Sequence, residues 1–289
     1  MSYKQQLQTK KFFETEAYAW SQRADLKKNK VNNTIIERNL FAFEIIKKNK
    51  LKYHLDVGCG SGDLSFLSSK ITNSSIGIDF SKNMIKIAKK KFKNKNLQYF
   101  NASIFDFQND YKFDAISANG FIEYLSNKDV FNFMSYCESN MKKGGFLILG
   151  SRNRLFNLFS LNQFSLHELK TKYFKVLYNE AIALNNMTLN EFSKKKKLDF
   201  MPVPFKQPMT RDIKVNIRNQ FSPSQIMKLM KKYGFKVTDI NPINYHPATP
   251  KVYNSNLEYK KISDIIISYN NKLSLIPFSS SFIVAAKKI

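Results

Sequence analysis

The sequence predicts a doubly wound α/β fold: a mostly parallel, seven-stranded sheet covered by helices, preceded by N-terminal helices and carrying a cap made of late insertions. Three observations predict it. Short apolar runs alternate with amphipathic segments from residue 51 onward. The first of these runs empties into a glycine-rich turn. The alternation then breaks twice, near residues 152 and 241, where the chain leaves the sheet.

Residues 1–50 read as helical, because Phe12, Phe13, Ala17 and Trp20, then Ile35, Ile36, Leu40, Phe43 and Ile46, recur at helix-like spacings. Residues 53–57 (YHLDV) form the first strand and feed Gly58, Gly60 and Gly62. Leu64, Leu67 and Ile71 continue as a helix. Residues 75–79 (SIGID) are the second strand, and Ser81 caps a helix through Met84, Ile85, Ala88 and Phe92. Residues 97–100, 113–117 and 146–149 supply the next three strands. Between the last two, Ser126 caps a helix carrying Val130, Phe133, Cys137 and Met141, which Gly144 and Gly145 close.

Residues 152–220 contain no clear strand–helix unit and include a proline-rich stretch, 201–208. Rhythm returns at Ser222-Pro223-Ser224-Gln225, which has capping-box spacing with proline at the first helical position. Gly234 ends that helix. Residues 235–238 are a strand, 241–272 are irregular, and 281–286 form the last strand. The chain so divides into an N-terminal helical lid (1–50), a cofactor-binding core (51–151), a substrate cap (152–220) and the C-terminal part of the sheet (221–289), with a second insertion over 241–280.

With 289 residues, 43% of them hydrophobic, and 26 Phe, the chain can bury a substantial core. Two cysteines, Cys59 and Cys137, exclude a disulfide framework and fit a reducing compartment. No run reaches the roughly 18 apolar residues of a spanning helix. The first twenty residues lack the apolar region of a secretory signal. A cytoplasmic protein is the expectation. The 47 basic against 22 acidic residues give a net charge of +25, which suggests an anionic partner such as nucleic acid or a membrane surface. Only six of the basic residues are arginine, however, and Lys, Asn, Ile and Phe share A/T-rich codons. Specific phosphate recognition favours arginine. Coding bias therefore ranks ahead of a dedicated binding surface, and the runs Lys89 to Lys91 and Lys194 to Lys197 read as solvated helix faces.

The chemistry concentrates in the glycine turn. Alternate glycines let the backbone approach a ligand closely, and the helix beginning near Asp63 directs free N–H groups to the same place. The dinucleotide spacing G-x-G-x-x-G fails, because the sixth position counted from Gly58 is Asp63. Asp56 precedes the glycines and suits a cation, where a pyrophosphate would be repelled. Asp79 ends the second strand, where an acid can accept both hydroxyls of a ribose. A nucleoside with a cationic tail satisfies both, and S-adenosylmethionine is such a molecule.

At this point the sequence resembles the class I S-adenosylmethionine-dependent methyltransferases. LDVGCGSGDLSFL (55–67), IGIDFSKNMIKIAKKKF (76–92), FDAISANGFIEYL (113–125), MKKGGFLILGSRN (141–153) and FSPSQIMKLMKKYGFKV (221–237) are similar to that family's successive motifs, in order. The likeness is greatest to small-molecule enzymes of the quinone, biotin and surface-polysaccharide pathways. It implies a Rossmann-like methyltransferase fold, S-adenosyl-L-methionine as cofactor, and in-line methyl transfer to a small molecule or a glycan- or lipid-linked intermediate. It also implies that Asp56, Gly58, Cys59, Gly60 and Gly62 line the methionine end and that Asp79 holds the ribose. Phe80 and Met84 would lie against adenine or ribose, and Asn119 and Gly120 beneath the donor methyl. Many relatives carry an acid after the third strand for the adenine amino group; here Ser103, followed by Ile104, stands in its place.

A base is needed only if the acceptor arrives protonated. His246, in the second insertion, and Glu123, after the fourth strand, are the catalytic candidates; His54 and His167 read as structural. Arg152 and Arg154 follow the fifth strand and point to an anionic acceptor group. Trp20, Arg23, Tyr124 and Tyr245 complete the candidate acceptor surface, and no metal cluster is expected. An RNA methyltransferase, less readily a DNA one, and a non-catalytic cofactor-binding protein are the alternatives. Against nucleic acid, Asn119-Gly120-Phe121-Ile122 lacks the Asn/Asp-Pro-Pro-aromatic pattern for exocyclic base amines.

Overall fold

The computed structural model describes residues 2–25, 33–170, 173–194, 215, 218–249, 265–266 and 271–289, with side chains from Gln6 onward. Strands β1 (Tyr53–Val57), β2 (Ser74–Asp79), β3 (Leu97–Asn101), β4 (Phe113–Asn119), β5 (Met141–Arg152), β6 (Phe235–Tyr245) and β7 (Ser279–Lys288) form one seven-stranded sheet in the order β3-β2-β1-β4-β5-β7-β6. β1 to β5 pair in parallel, and β7 runs antiparallel between β5 and β6. This is the expected doubly wound architecture.

Helices α1 (Ser2–Ala24) and α2 (Thr34–Lys48) precede the sheet; α3 (Asp63–Ser69), α4 (Lys82–Lys91) and α5 (Asn127–Asn140) connect its first strands. The strand period of two splits the core into two layers. Leu147, Leu149, Phe282 and Val284 bury one face, together with Phe133 of α5. Phe146, Ile148, Ile283 and Ala285 bury the other, against Ala42 and Ile46 of α2. The local signals operate as expected. Ser81 accepts the Met84 N–H at 3.2 Å, and Ser126 accepts that of Asp129 at 3.2 Å. Ser222 and Gln225 form a reciprocal capping box with Pro223 inside the first turn.

Two boundaries differ from expectation. α5 ends at Asn140 and β5 begins at Met141, so Gly144 and Gly145 lie within the strand and close no helix. The β4–β5 register slips between Phe113 and Ala115, beside this stretch, and a Cβ on Gly145 would stand 2.9 Å from the Asp114 carbonyl oxygen. The second departure is β6, which continues to Tyr245, with Asn241 opposite Ile283 and Tyr245 opposite Ser279. The second insertion therefore starts beyond this strand, five residues later than the predicted 241. Pro242 and two asparagines disguise the strand in the sequence; they are tolerated because β6 is an edge strand with one neighbour. The proline-rich stretch 201–208, Lys195 to Lys197 and much of the 241–280 insertion lie outside the described residues.

In place of a strand–helix unit, the segment after β5 builds helices α6 (Phe156–Phe159), α7 (Gln163–Leu169), α8 (Phe174–Asn186) and α9 (Leu189–Lys194). Helix α10 (Pro223–Lys232) then leads into β6. A buried polar knot ties this cap to the sheet. Arg154 donates to both carboxylate oxygens of Glu168, at 3.0 and 2.9 Å, and Asn157 bridges Glu168 to Gln220 at 3.1 and 2.7 Å.

Glu168 is 0% exposed, so removing its partner strands a buried charge. Arg154→Met should cost about 3–5 kcal/mol by urea denaturation. The double variant Arg154→Met/Glu168→Leu should recover most of that loss.

Candidate functional site

Strand order reverses at β1, and the loops after β1 and β4 part there to open a crevice at the carboxyl edge of the sheet. Gly58, Gly60 and Gly62 follow β1 with φ of 67°, 52° and 80°. Asp79, at the end of β2, holds this turn in place. One of its oxygens accepts the Gly60 N–H at 3.0 Å and the other accepts the Ser81 N–H at 2.8 Å. Asp56, in β1, accepts the hydroxyls of Ser65 at 2.7 Å and Ser117 at 3.0 Å. Behind it, His54 sets its Nε2 2.8 Å from Ser117 Oγ. Burial lowers the His54 pKa to about 3, so the imidazole is neutral and serves as a strut. Burial also pushes both Asp56 and Asp79 up to about 6, with Asp63 adding to the rise at Asp56 and Asp56 adding to that at Asp79.

Two cavities meet at the turn and share Trp20, Gly58, Gly60, Asn119 and Gly120. The smaller, about 120 Å³, lies over Asp79 and is walled by Phe80, Met84, Ser103 and Ile104. α1 covers it. Phe13 meets Trp20 and Tyr124 edge-on, with ring centroids 5.3 Å apart in each case. The Glu14 carboxylate accepts the N–H groups of Lys82 and Asn83, at 2.7 and 3.0 Å, and so docks α1 on the start of α4.

The larger cavity, about 520 Å³, extends from Asp56 and Cys59 to the cap residues Phe156, Asn157 and Phe164. Four of the chain's six arginines line it, Arg23, Arg38, Arg152 and Arg218, whereas its lining includes no lysine among the described residues. Three of the four gather around Glu123, which is 1% exposed. Arg218 Nη2 lies 3.3 Å and Arg38 Nη1 4.0 Å from one Glu123 oxygen. Burial alone would raise the Glu123 pKa, but Arg218, Arg38 and Arg152 hold it below the usual carboxylate range. Burial and the neighbouring Arg218 bring Arg152 down to about 9, and burial also lowers Arg38. Three guanidiniums therefore gather against this one carboxylate, and Glu37 adds a further negative charge near Arg38.

Glycines make room for this cluster. A Cβ on Gly120, at φ 72°, would stand 2.6 Å from Arg38 Nη1, and one on Gly150 would stand 3.0 Å from Arg38 Cδ. The guanidinium therefore lies directly across the ends of β4 and β5. Arg38 also donates to Ser281 Oγ. Arg218 is brought in by the segment after the cap, where Asn219 donates its backbone N–H to the Glu123 carbonyl at 2.7 Å and its side-chain amide to the Leu125 carbonyl at 2.8 Å.

Most of the residues singled out from the sequence come together here. Asp56, Gly58, Cys59, Gly60, Asp79, Phe80, Met84, Ser103, Ile104, Asn119, Gly120, Trp20, Arg23, Glu123, Tyr124 and Arg152 all line one or both cavities. Four do not. Gly62 lines neither; a Cβ there would stand 2.3 Å from the Tyr99 hydroxyl, which donates to the Gly62 carbonyl at 2.8 Å, so its glycine answers to packing. Arg154 is consumed by Glu168. Tyr245 lies in β6, and His246 packs behind Phe156 with ring centroids 4.9 Å apart. Burial lowers the His246 pKa to about 4. Glu123 lines the cavity, but as the anionic centre of an ion-pair cluster it is a poor proton acceptor.

Arg38 and Arg218 were not singled out from the sequence. Arg38 had a signal: it occupies the buried stripe of α2 with Ala42, Ile45 and Ile46, at i, i+4, i+7 and i+8. An arginine on an apolar stripe is either paired or functional.

Residues 55–145 match the family model described as a methyltransferase domain. No curated protein matches the chain by sequence. Among solved structures, the chain is similar to magnesium protoporphyrin IX methyltransferase from Synechocystis PCC 6803 with bound S-adenosylhomocysteine, at 13% identity over 97% of each chain with a TM-score of 0.53. It is similar to an S-adenosylmethionine-dependent methyltransferase from Clostridium acetobutylicum ATCC 824, at 14% identity over 96% of this chain and 98% of that one, TM-score 0.52. The N-methyltransferase NodS from Bradyrhizobium japonicum WM9 matches at 9% identity over 89% and 88%, TM-score 0.50. At these identities the likenesses establish the fold.

Because Gly62 combines a left-handed backbone with the Tyr99 contact, Gly62→Ala should destabilise the protein by roughly 1–3 kcal/mol. A thermal melt in the absence of ligands measures it.

Proposed function

We propose, for a chain that is a class I S-adenosylmethionine-dependent methyltransferase by its domain and its fold, that the acceptor is a small anionic molecule seated in the arginine-lined cavity. The observation that carries this reading is the gathering of guanidiniums around Glu123 on the wall of this cavity.

The chain's own groups fit the cofactor. Burial raises the pKa of Asp56 and Asp79 despite the hydroxyls and amides they accept, and a cationic or further hydroxyl-bearing ligand would relieve that cost. On this reading Asp79 would take the ribose hydroxyls, and Asp56 with the glycine turn would face the charged amino-acid end. Phe80, Met84, Ser103 and Ile104 would flank the base. Trp20, whose indole comes within 3.9 Å of where a Cβ on Gly60 would stand, would press an aromatic face toward the cation. When bound, the cofactor supplies a methyl group on a sulfonium whose departure leaves a neutral thioether. The chain supplies alignment and dryness: α1, held by Glu14, would act as the lid, and the cap helices α6 and α7 would wall the acceptor side. Holding the reacting atoms in line can contribute roughly 7–11 kcal/mol.

The basic residues outside this cavity are mostly lysines, and they give no reason to prefer RNA. Four arginines in an internal cavity suit a compact anion better than a polymer, whose phosphates would meet a surface tract. Bulk RNA should bind weakly, and strong RNA binding that falls steeply with salt would instead favour the nucleic-acid alternative.

Calorimetry with S-adenosylmethionine tests the cofactor site. Asp79→Asn should weaken binding roughly 10- to 100-fold, the worth of a hydrogen bond to a charged group; an unchanged affinity would remove Asp79 from the site. The pH dependence follows from the two acids. In the free protein they bind protons as pH falls through about 6, and a cation prefers their ionised forms. Affinity should therefore be full near pH 8 and decline as pH drops through about 6, and Asp79→Asn should flatten that decline.

A further inference from the structure

The larger cavity offers an acceptor positive charge but, among the described residues, no free proton acceptor. Every carboxylate that lines the two cavities is engaged. Glu123 is held by Arg38 and Arg218. Asp63 takes Lys91 at 2.8 Å and the Ser61 hydroxyl at 2.5 Å. Asp56 takes two serine hydroxyls, Asp79 takes two backbone amides, and on the reading above both are committed to the cofactor. No histidine or lysine lines either cavity among the described residues. Burial and the adjacent Asp79 and Asp56 push the Cys59 thiol up, and burial pushes Tyr124 to about 12. A hydroxyl or an ammonium arriving here would find no base among the described residues to receive its proton. The acceptor atom must come with its lone pair already free.

The charge next to it says which atom that is. Arg38 lies over Gly120 and Gly150, so the guanidinium cluster borders the ends of β4 and β5, beside Asn119. Arg38 Nε and the side-chain amide oxygen of Asn119 are buried and have no hydrogen-bond partner among the described residues. Planar forks of this kind match oxyanions of carboxylate geometry. We infer that the methylated atom is a carboxylate oxygen and that the product is a methyl ester, an inference that rests on the methyltransferase reading above. The carboxylate oxygen uses a lone pair to form the bond to the methyl carbon while the carbon–sulfur bond breaks, and that bond's electron pair stays on sulfur. No proton moves. The acceptor loses one negative charge and the sulfonium its positive one. With Arg23, Arg38, Arg152 and Arg218 all lining it, the cavity suits an acceptor that keeps a second anionic group after esterification.

The test uses the full chain in three measurements. S-adenosylmethionine binding is first established by calorimetry; its failure would overturn the methyltransferase reading and this inference with it, whereas binding followed by failure of the later measurements would overturn this inference alone. Succinate, glutarate and sulfate are then titrated against the cofactor-free protein by thermal melting. A dicarboxylate should raise the melting temperature, and Arg218→Gln should weaken that binding by at least about tenfold while leaving cofactor affinity unchanged. Stabilisation by sulfate alone would indicate a phosphate-type anion and overturn the inference, as would no stabilisation by any of the three. Finally, tritiated S-adenosylmethionine is incubated with the dialysable anionic fraction of a cell extract. The labelled product should release its label as volatile methanol in mild alkali. An alkali-stable product, or no labelled product from that fraction although the cofactor binds, would overturn the inference.

Discussion

The reversal of strand order at β1 is the constraint from which the site follows. Neighbouring loops at the carboxyl edge must diverge on either side of β1, and whatever they leave open can only be lined by residues at strand ends. Asp56, Asp79, Asn119 and Arg152 are those residues. Each is placed by a ladder of backbone hydrogen bonds, so the cavity floor inherits the rigidity of the sheet. The parts that cover the floor, α1 and the cap helices, are attached by side-chain contacts instead.

The floor is electrically divided. Acids stand on the β1–β2 side and guanidiniums on the β4–β5 side, with Gly58, Gly60 and Gly120 between them. In a poorly solvated space each half is costly alone, and each is relieved by a ligand of opposite sign. A site that brings a cation and an anion together needs such a division. The glycines keep the partition thin: a side chain at Gly58 would press on Phe121 and one at Gly120 would strike Arg38.

What could be read from the sequence depended on the range of the interactions involved. The glycine turn, Asp79 and the serine caps at 81, 126 and 222 are local chemistry, and the structure keeps all of them where spacing put them. The strand alternation likewise gave the sheet. Long-range pairings were hidden. Nothing near Arg154 announces Glu168, which claims it from the cap. Arg152, two residues earlier, looks equivalent, yet it faces the cavity because side chains turn differently where β5 ends. Arg218 reaches Glu123 across 95 residues of chain. β6 was cut short in the reading because Pro242 argues against a strand unless one knows that the strand is at an edge. His246 reads as a base from its place in the second insertion, beyond the sheet edge facing the acceptor, but Phe156 stands against it. Gly62 belonged to the motif by pattern and turned out to serve Tyr99.

The Glu14 contact carries a kinetic consequence. If the smaller cavity takes the nucleoside proposed for it, α1 lies over that nucleoside and would have to shift to let it and its spent form pass freely. The latch is a carboxylate on two backbone amides at the protein's surface, reinforced by Gln6 on Asp129 at 2.9 Å. Such contacts are weak in water, whereas the aromatic contacts of Phe13 beneath them exclude solvent. Turnover would then be paced by how often one helix peels back, and a chain built this way can complete its chemistry quickly yet exchange its exhausted donor slowly.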